Sequence, residues 1–181
     1  MQILSYVLSI SGFISMVVAS LIKGEKMKKI LFFVFLGNFL VATSYLLDGT
    51  GLNGAASCYL GSVQAIVTYF YDSKNIPLPK WMIALFALSF IGLNLWVGGV
   101  NPLTFLAIVA TMTFIAGIGQ KNGAKYRFWT LTNLILWCTY DVISHSSGAL
   151  TSHILILIFN VTGMVIHDRK KHNEKNIIKR Q

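Results

Sequence analysis

Asn133, Trp137, Tyr140, Asp141 and His145 all fall within NLILWCTYDVISH, in a chain so apolar that each of them needs a reason. Trp129, Asn133, Trp137 and Asp141 recur at every fourth position, with Tyr140 beside them and His145 one turn beyond, so a helix lays them along one stripe. An amide offers both a donor and an acceptor. Aromatic rings beside it suit a flat or cyclic solute, either a sugar ring stacked on its apolar face or a base-like ring. The alternative assigns Trp129 and Tyr140 to the two interfacial aromatic belts, and for Trp129 that reading is preferred. Asp141 is an ionisable group inside an apolar run, which marks a functional position by default. With His145 four residues on and His153 across a short loop, it could exchange protons, bind a cation or meet a positively charged substrate. The alternative is that the helix ends early and Asp141 is wet, near Asp48. A zinc site from Asp141, His145 and His153 is weaker still, because no tight ligand cluster of the HExxH kind is present.

The pattern occurs twice. NFLVATSYLLDG, from Asn38 to Gly49, repeats an Asn and a Tyr seven residues apart, and a shift of 95 positions aligns Gly24, Lys26, Phe33, Leu36, Asn38 and Tyr45 with Gly119, Lys121, Phe128, Leu131, Asn133 and Tyr140 without a gap. After a small shift in the next loop, Gln64 pairs with Asn160 and Asp72 with Asp168, each Asp eight residues beyond its amide. Amides in hydrocarbon need partners. They either face a central cavity and bind a polar solute, or act as interhelical glue worth about 0.6 kcal/mol per contact.

These residues must be carried by membrane helices. The chain has 181 residues, 55% hydrophobic and 12% charged, and more apolar surface than one soluble core can bury. Apolar runs of spanning length can be drawn at about 3–22, 30–47, 53–71, 81–98, 102–119, 128–145 and 151–167. Lys23, Lys26, Lys28 and Lys29 follow the first run, Lys74 and Lys80 the third, and Lys121, Lys125 and Arg127 the fifth. Arg169, Lys170, Lys171, Lys175, Lys179 and Arg180 follow the seventh. With seven spans all fifteen basic residues share one side, which the positive-inside rule makes cytoplasmic, with the N-terminus outside. Six or eight spans would split them. The first run has no basic segment before it, so it is expected to remain as an uncleaved span.

The expected fold is therefore an all-α membrane protein of seven transmembrane helices, arranged as two parallel three-helix repeats, 1–72 and 101–168, joined by an inverting fourth helix in 73–100 and followed by a basic cytoplasmic tail, 169–181. Ser11, Ser15 and Ala19, and Ser57, Gly61 and Ala65, have the small-xxx-small spacing of closely packed helices. Asn101-Pro102 and Thr151-Ser152 look like helix starts. Cys58 and Cys138, isolated within spans, are small apolar fillers. The tail, HDRKKHNEKNIIKRQ, reads first as a solvated topology anchor and second as a contact to anionic headgroups.

The three-one-three plan, the Asn-to-Tyr spacing followed by the Gly-rich loop GTGLNGAASCYLG, and the basic segment after the last helix resemble the YgjV-type bacterial inner-membrane proteins. Those are similar in architecture to the SWEET sugar transporters and PnuC vitamin transporters. The resemblance covers nearly the whole chain and implies a fold in the bacterial cytoplasmic membrane more firmly than a substrate. The chain departs from the SWEET pattern at helix one, ILSYVLSISGFISMVVASL, which has no proline, so a hinge at matched prolines is not implied.

The leading functional reading is a transporter of a small polar solute, sugar-like or vitamin- or nucleoside-like, working by alternating access. Its site would comprise Asn38, Tyr45, Gln64, Asn133, Trp137, Tyr140 and Asn160, with Asp141 and His145 coupling a proton or cation. Without a GxxxxGK[ST] loop, direct coupling to ATP is not expected. Alternatives are a receptor whose tail reports occupancy, or a structural membrane protein. No paired catalytic carboxylates, Ser/His couple or metal signature points to an enzyme, and no cofactor is expected. The scattered basic residues do not form a nucleic-acid footprint. Two repeats would complete a pathway in one chain, with a homodimer as the other possibility.

Overall fold

The computed structural model describes residues 2–23, 26–48, 52–145 and 147–168, and among them the chain is entirely helical. The helices are α1 (Gln2–Leu21), α2 (Met27–Asp48), α3 (Leu52–Ser73), α4 (Lys80–Gly98), α5 (Pro102–Ile118), α6 (Gly123–Ile143) and α7 (Ser147–Gly163), and α7 continues into a π-helical turn, Met164–Asp168. Four segments are long and apolar enough to cross a membrane: Ile3–Leu21, Met27–Leu47, Lys80–Gly98 and Ala149–Asp168. The helix Pro102–Ile118 is apolar but shorter. In α3 and α6 the Ser, Gln, Asn, Lys and Arg residues dilute the hydrophobic character. Those two helices carry much of the interior polarity.

Local chemistry sets the ends. The Asn101 side chain accepts from the Thr104 N–H at 2.9 Å, with Pro102 in the first turn, as its sequence suggests. Asn122 does the same for Ala124 at 2.9 Å, so α6 starts at Gly123 rather than near 128 and takes Tyr126 and Arg127 into the helix. Gly99, at φ 66, stops α4 by donating back to Leu95, a conformation that favours glycine. Helix α7 starts at Ser147, so Thr151 and Ser152 lie within it and do not cap it. The basic tail 169–181 and Gly24 lie outside the described residues.

Helices α1, α2 and α3 pack in sequence, and so do α5, α6 and α7. The two groups meet where α1 lies on α7 and where α3 touches α5, while α4 leans on α5 and α3. A cluster of Ala19, Ile30, Leu31, Val34, Ala65, Ile118 and Tyr126 draws on both groups. Polarity is reversed relative to a water-soluble protein. Ile3, Ile10, Ile14, Leu85, Leu88, Phe105 and Val109 are exposed, whereas Asn38, Gln64, Arg127, Asn133, Asp141 and Asn160 are buried. Apolar exposure on this scale belongs in a lipid environment. Trp81 and Trp96, near the two ends of α4, are also exposed, as interfacial anchors would be.

Backbones come together at glycines. A Cβ on Gly12 of α1 would sit 2.9 Å from the Gly37 carbonyl oxygen of α2. One on Gly163 of α7 would collide with the Ser20 carbonyl of α1, a backbone atom that cannot rotate aside. Gly92, in contrast, has nothing within 4 Å of its Cβ direction. Gly163→Ala should therefore lower unfolding stability by about 1–3 kcal/mol, while Gly92→Ala stays within about 0.5 kcal/mol of the parent. Unfolding in mixed micelles measures both, and equal stabilities would contradict the close α1–α7 approach.

Candidate functional site

The polar interior lies at three levels. At one end, the last carbonyls of α1 have no partner within their own helix and need donors from elsewhere. Arg127, fully buried, donates from Nη1 to the Ile22 carbonyl at 2.9 Å. It also grips Asp168 with two bonds, Nε to Oδ2 at 2.9 Å and Nη2 to Oδ1. His167 donates from Nε2 to the Leu21 carbonyl at 2.9 Å. Cations at a helix C-terminus also meet its negative dipole end favourably. The π turn carries His167 and Asp168 into this clasp, and Gly163 just before it lets α1 approach. At the same end, Lys28 Nζ donates to the Ser73 carbonyl across α2 and α3 at 3.2 Å.

One level inward lie the amides. Asn160 is fully buried and donates from Nδ2 to the Arg127 carbonyl at 2.9 Å, while its Oδ1 has no partner. Gln64 is fully buried on α3, and neither its Nε2 nor its Oε1 has a partner. Asn133 donates to the Ala110 carbonyl at 2.7 Å and to Thr113 Oγ1 at 3.3 Å, tying α6 to α5. Asn38 returns its amide to the Val34 carbonyl of its own helix at 3.1 Å and lies beside Gly61 of α3.

At the far end, Asp141 is 3% exposed, and its Oδ2 lies 2.6 Å from His153 Nδ1 on α7. The His153 ring stacks on Trp137, centroids 6.0 Å apart and planes 19° from parallel, and Trp137 meets Tyr140 edge-on at 5.3 Å. Tyr45, half-buried on α2, is within electrostatic range of Asp141. Nearby, Ser9, Ile10 and Phe13 of α1 face Ser152 and Leu155 of α7 across a groove.

The sequence stripe thus divides. Trp137, Tyr140 and Asp141 form one cluster, with Tyr45 near it, whereas Asn133 faces α5 and Asn160 joins the clasp. His145 is not the partner of Asp141. Helix α6 ends at Ile143 with Ser144 as C-cap, and His145 follows in a left-handed conformation, φ 57, exposed. An i+4 relation holds only while the helix continues. Asp141 is buried rather than wet, and Asp48's side chain lies outside the described residues.

The clasp itself was not legible. Arg127 counts in the sequence as a loop cation and His167 as part of a solvated tail, yet both are bonded to the end of α1. The available signal was chemical type. Arg127 is an arginine where the neighbouring basic residues are lysines, and a planar guanidinium is the group suited to a buried carboxylate. Removing Arg127 strands the half-buried charge of Asp168 and leaves the Ile22 carbonyl without its donor. Arg127→Ala should cost about 3–5 kcal/mol of unfolding stability, and the double variant Arg127→Met with Asp168→Leu should recover most of it. If single and double variants unfold alike in a denaturant titration, the ion pair is not what holds this end together.

The geometry is that of a helical membrane protein with a polar interior and an apolar exterior. No curated protein and no solved structure matches the chain. The Imp-YgjV family model, described as bacterial inner membrane protein, matches residues 4–171, from the first turn of α1 to beyond the π turn. The chain therefore belongs to the Imp-YgjV family of bacterial inner membrane proteins.

Proposed function

We propose that this inner-membrane protein moves a small polar solute across the bilayer by alternating access between two three-helix bundles, α1–α3 and α5–α7, with α4 as the inverting helix between them. One observation carries the reading. Among the described residues, the buried side-chain atoms without a hydrogen-bond partner are Gln64 Nε2, Gln64 Oε1 and Asn160 Oδ1. All three belong to the two residues that the sequence repeat pairs with each other. Each lies eight residues before an aspartate, Asp72 or Asp168, so both sit about 12 Å along their helices from the basic end. An unanswered buried amide costs roughly 1–3 kcal/mol by mutational measures. Two at matched depth are what a solute shared between two bundles would satisfy.

The packing supports the same reading. The contact of α1 with α7 joins the first helix of one bundle to the third of the other, and the contact of α3 with α5 is its counterpart under the repeat. Asp141 is the candidate coupling group, with His153 as its partner. A purely structural role accounts for Asn133 and Asn38, whose amides are already bonded within the protein, but leaves Gln64 unexplained. The sequence order of the basic residues, which follow the first, third, fifth and seventh helices, supports seven crossings, with the N-terminus outside and the C-terminus cytoplasmic.

Replacing Gln64 by leucine removes no protein hydrogen bond and keeps the volume, so Gln64→Leu should unfold at or above the parent's stability. In proteoliposomes carrying the full chain, it should abolish uptake of any solute the parent transports, drawn from a panel of sugars, nucleosides and vitamin precursors. Uptake that persists unchanged in Gln64→Leu and Asn160→Leu would exclude these amides as the site. The orientation has its own check. A fluorescent protein fused after Gln181 should fluoresce, while a cysteine placed before Gln2 should react with an impermeant maleimide added outside whole spheroplasts.

A further inference from the structure

We infer that the solute is electrically neutral and presents a hydrogen-bond donor beside an acceptor, the chemistry shared by polyhydroxylated rings and ring amides, and that ammonium, carboxylate and phosphate compounds are excluded. This rests on the transport reading above and narrows its substrate class.

The inference comes from an inventory of charge and hydrogen-bonding capacity. Among the described residues, the buried charged side chains are Arg127 and Asp141, and each is engaged within the protein. Arg127 holds Asp168 with two bonds and α1 with a third. Asp141 is bonded to His153, whose ring is held flat against Trp137. Asp72 is half-buried but stands at the basic end, beside the Ser73 carbonyl that Lys28 reaches. What is left open is neutral: two amide oxygens that accept and one NH2 that donates.

A formal charge brought to the level of Gln64 and Asn160 would leave water and meet amide dipoles in place of a counter-ion. Such a charge is costly at mid-membrane. One neutral hydroxyl can accept from Gln64 Nε2 while donating its single proton to Gln64 Oε1 or to Asn160 Oδ1, and a second hydroxyl of the same ring can answer the other oxygen. A ring amide can meet Gln64 with a donor and an acceptor at once, as glutamine meets the paired donor and acceptor of an adenine edge. Both answer the two open atoms of Gln64 without placing a charge in the interior.

The test uses the full chain in lipid nanodiscs and matched probes: glucose with glucosamine and gluconate, and uridine with uridine monophosphate. Thermal shifts are read across a concentration series. The neutral member of at least one set should raise the melting temperature, and its charged relatives should need about a hundredfold higher concentration for the same shift. Gln64→Leu should remove the shift, and Gly92→Ala, on α4 with open space around its Cβ, should keep it. A charged member that binds as tightly as its neutral relative would overturn the inference while leaving transport standing. So would a shift abolished by Asp141→Asn but untouched by Gln64→Leu. If no probe shifts the melting temperature and none enters proteoliposomes, the inference and the transport reading fall together.

Discussion

In hydrocarbon no water is present to answer a polar group, so every donor and acceptor must be satisfied inside the protein, and this constraint organises the whole molecule. The helices satisfy their own backbones along their length and leave only their ends exposed. Where α1 ends, the open carbonyls of Leu21 and Ile22 are met by His167 and Arg127 from the far end of the sequence. Side chains follow the same rule, with Ser, Thr, Asn, Arg and Asp inside and Ile, Leu, Phe and Trp outside. With lipid on one side and apolar side chains on the other, the hydrophobic effect cannot drive helices together. Close approach does so instead, through van der Waals contact at Gly12, Gly37 and Gly163.

Two carboxylates, the buried Asp141 and the half-buried Asp168, answer this constraint in different ways. Asp168 is matched by Arg127, whose guanidinium is charged at any pH the cell meets, and the two bonds between them fix its orientation. Such a pair is a static fastening. Asp141 is matched by His153, and an imidazole attracts a carboxylate as an ion only when both its ring nitrogens carry protons. The attraction therefore depends on where the proton is. That difference in partner is why Asp141 and not Asp168 is the candidate for coupling to an ion.

Much of the fold could be read from the sequence because lipid makes hydropathy dominant. The apolar runs anticipated each helix, and Asn101-Pro102 anticipated a start. The errors lay where polar caps act. Asn122 extends α6 backward past Arg127, and the break after Ile143 removes His145 from the helical face that a continuous repeat of four would give it. The buried polar residues were legible one by one but not as pairs. Burial of Asp141 and of the amides followed from their position in apolar runs, whereas the choice of His153 over His145, and of Asn133's partners on α5, depends on helix rotation and packing that no local pattern encodes. The Arg127–Asp168 clasp joins the start of α6 to the end of α7, 41 residues apart, and the one local hint of it is an arginine among lysines.

The clasp also breaks the symmetry of the proposed repeat in an informative way. The register that pairs Asn38 with Asn133 places Phe32 opposite Arg127, so the first bundle has no equivalent guanidinium for Asp72. The α1–α7 contact is consequently fastened by His167 on the Leu21 carbonyl and, through α6, by Arg127, which links the Ile22 carbonyl to Asp168. Its counterpart between α3 and α5 is apolar, with the Phe114 ring lying close to Gly61. Apolar surfaces can slide with little loss, because each atom pair contributes only about 0.1–0.2 kcal/mol and new pairs replace old ones. A bidentate ion pair has one good geometry. If the two bundles rock, the α1–α7 end near the clasp is the pivot and the α3–α5 side travels, which would open the interior next to Gln64 on the travelling helix.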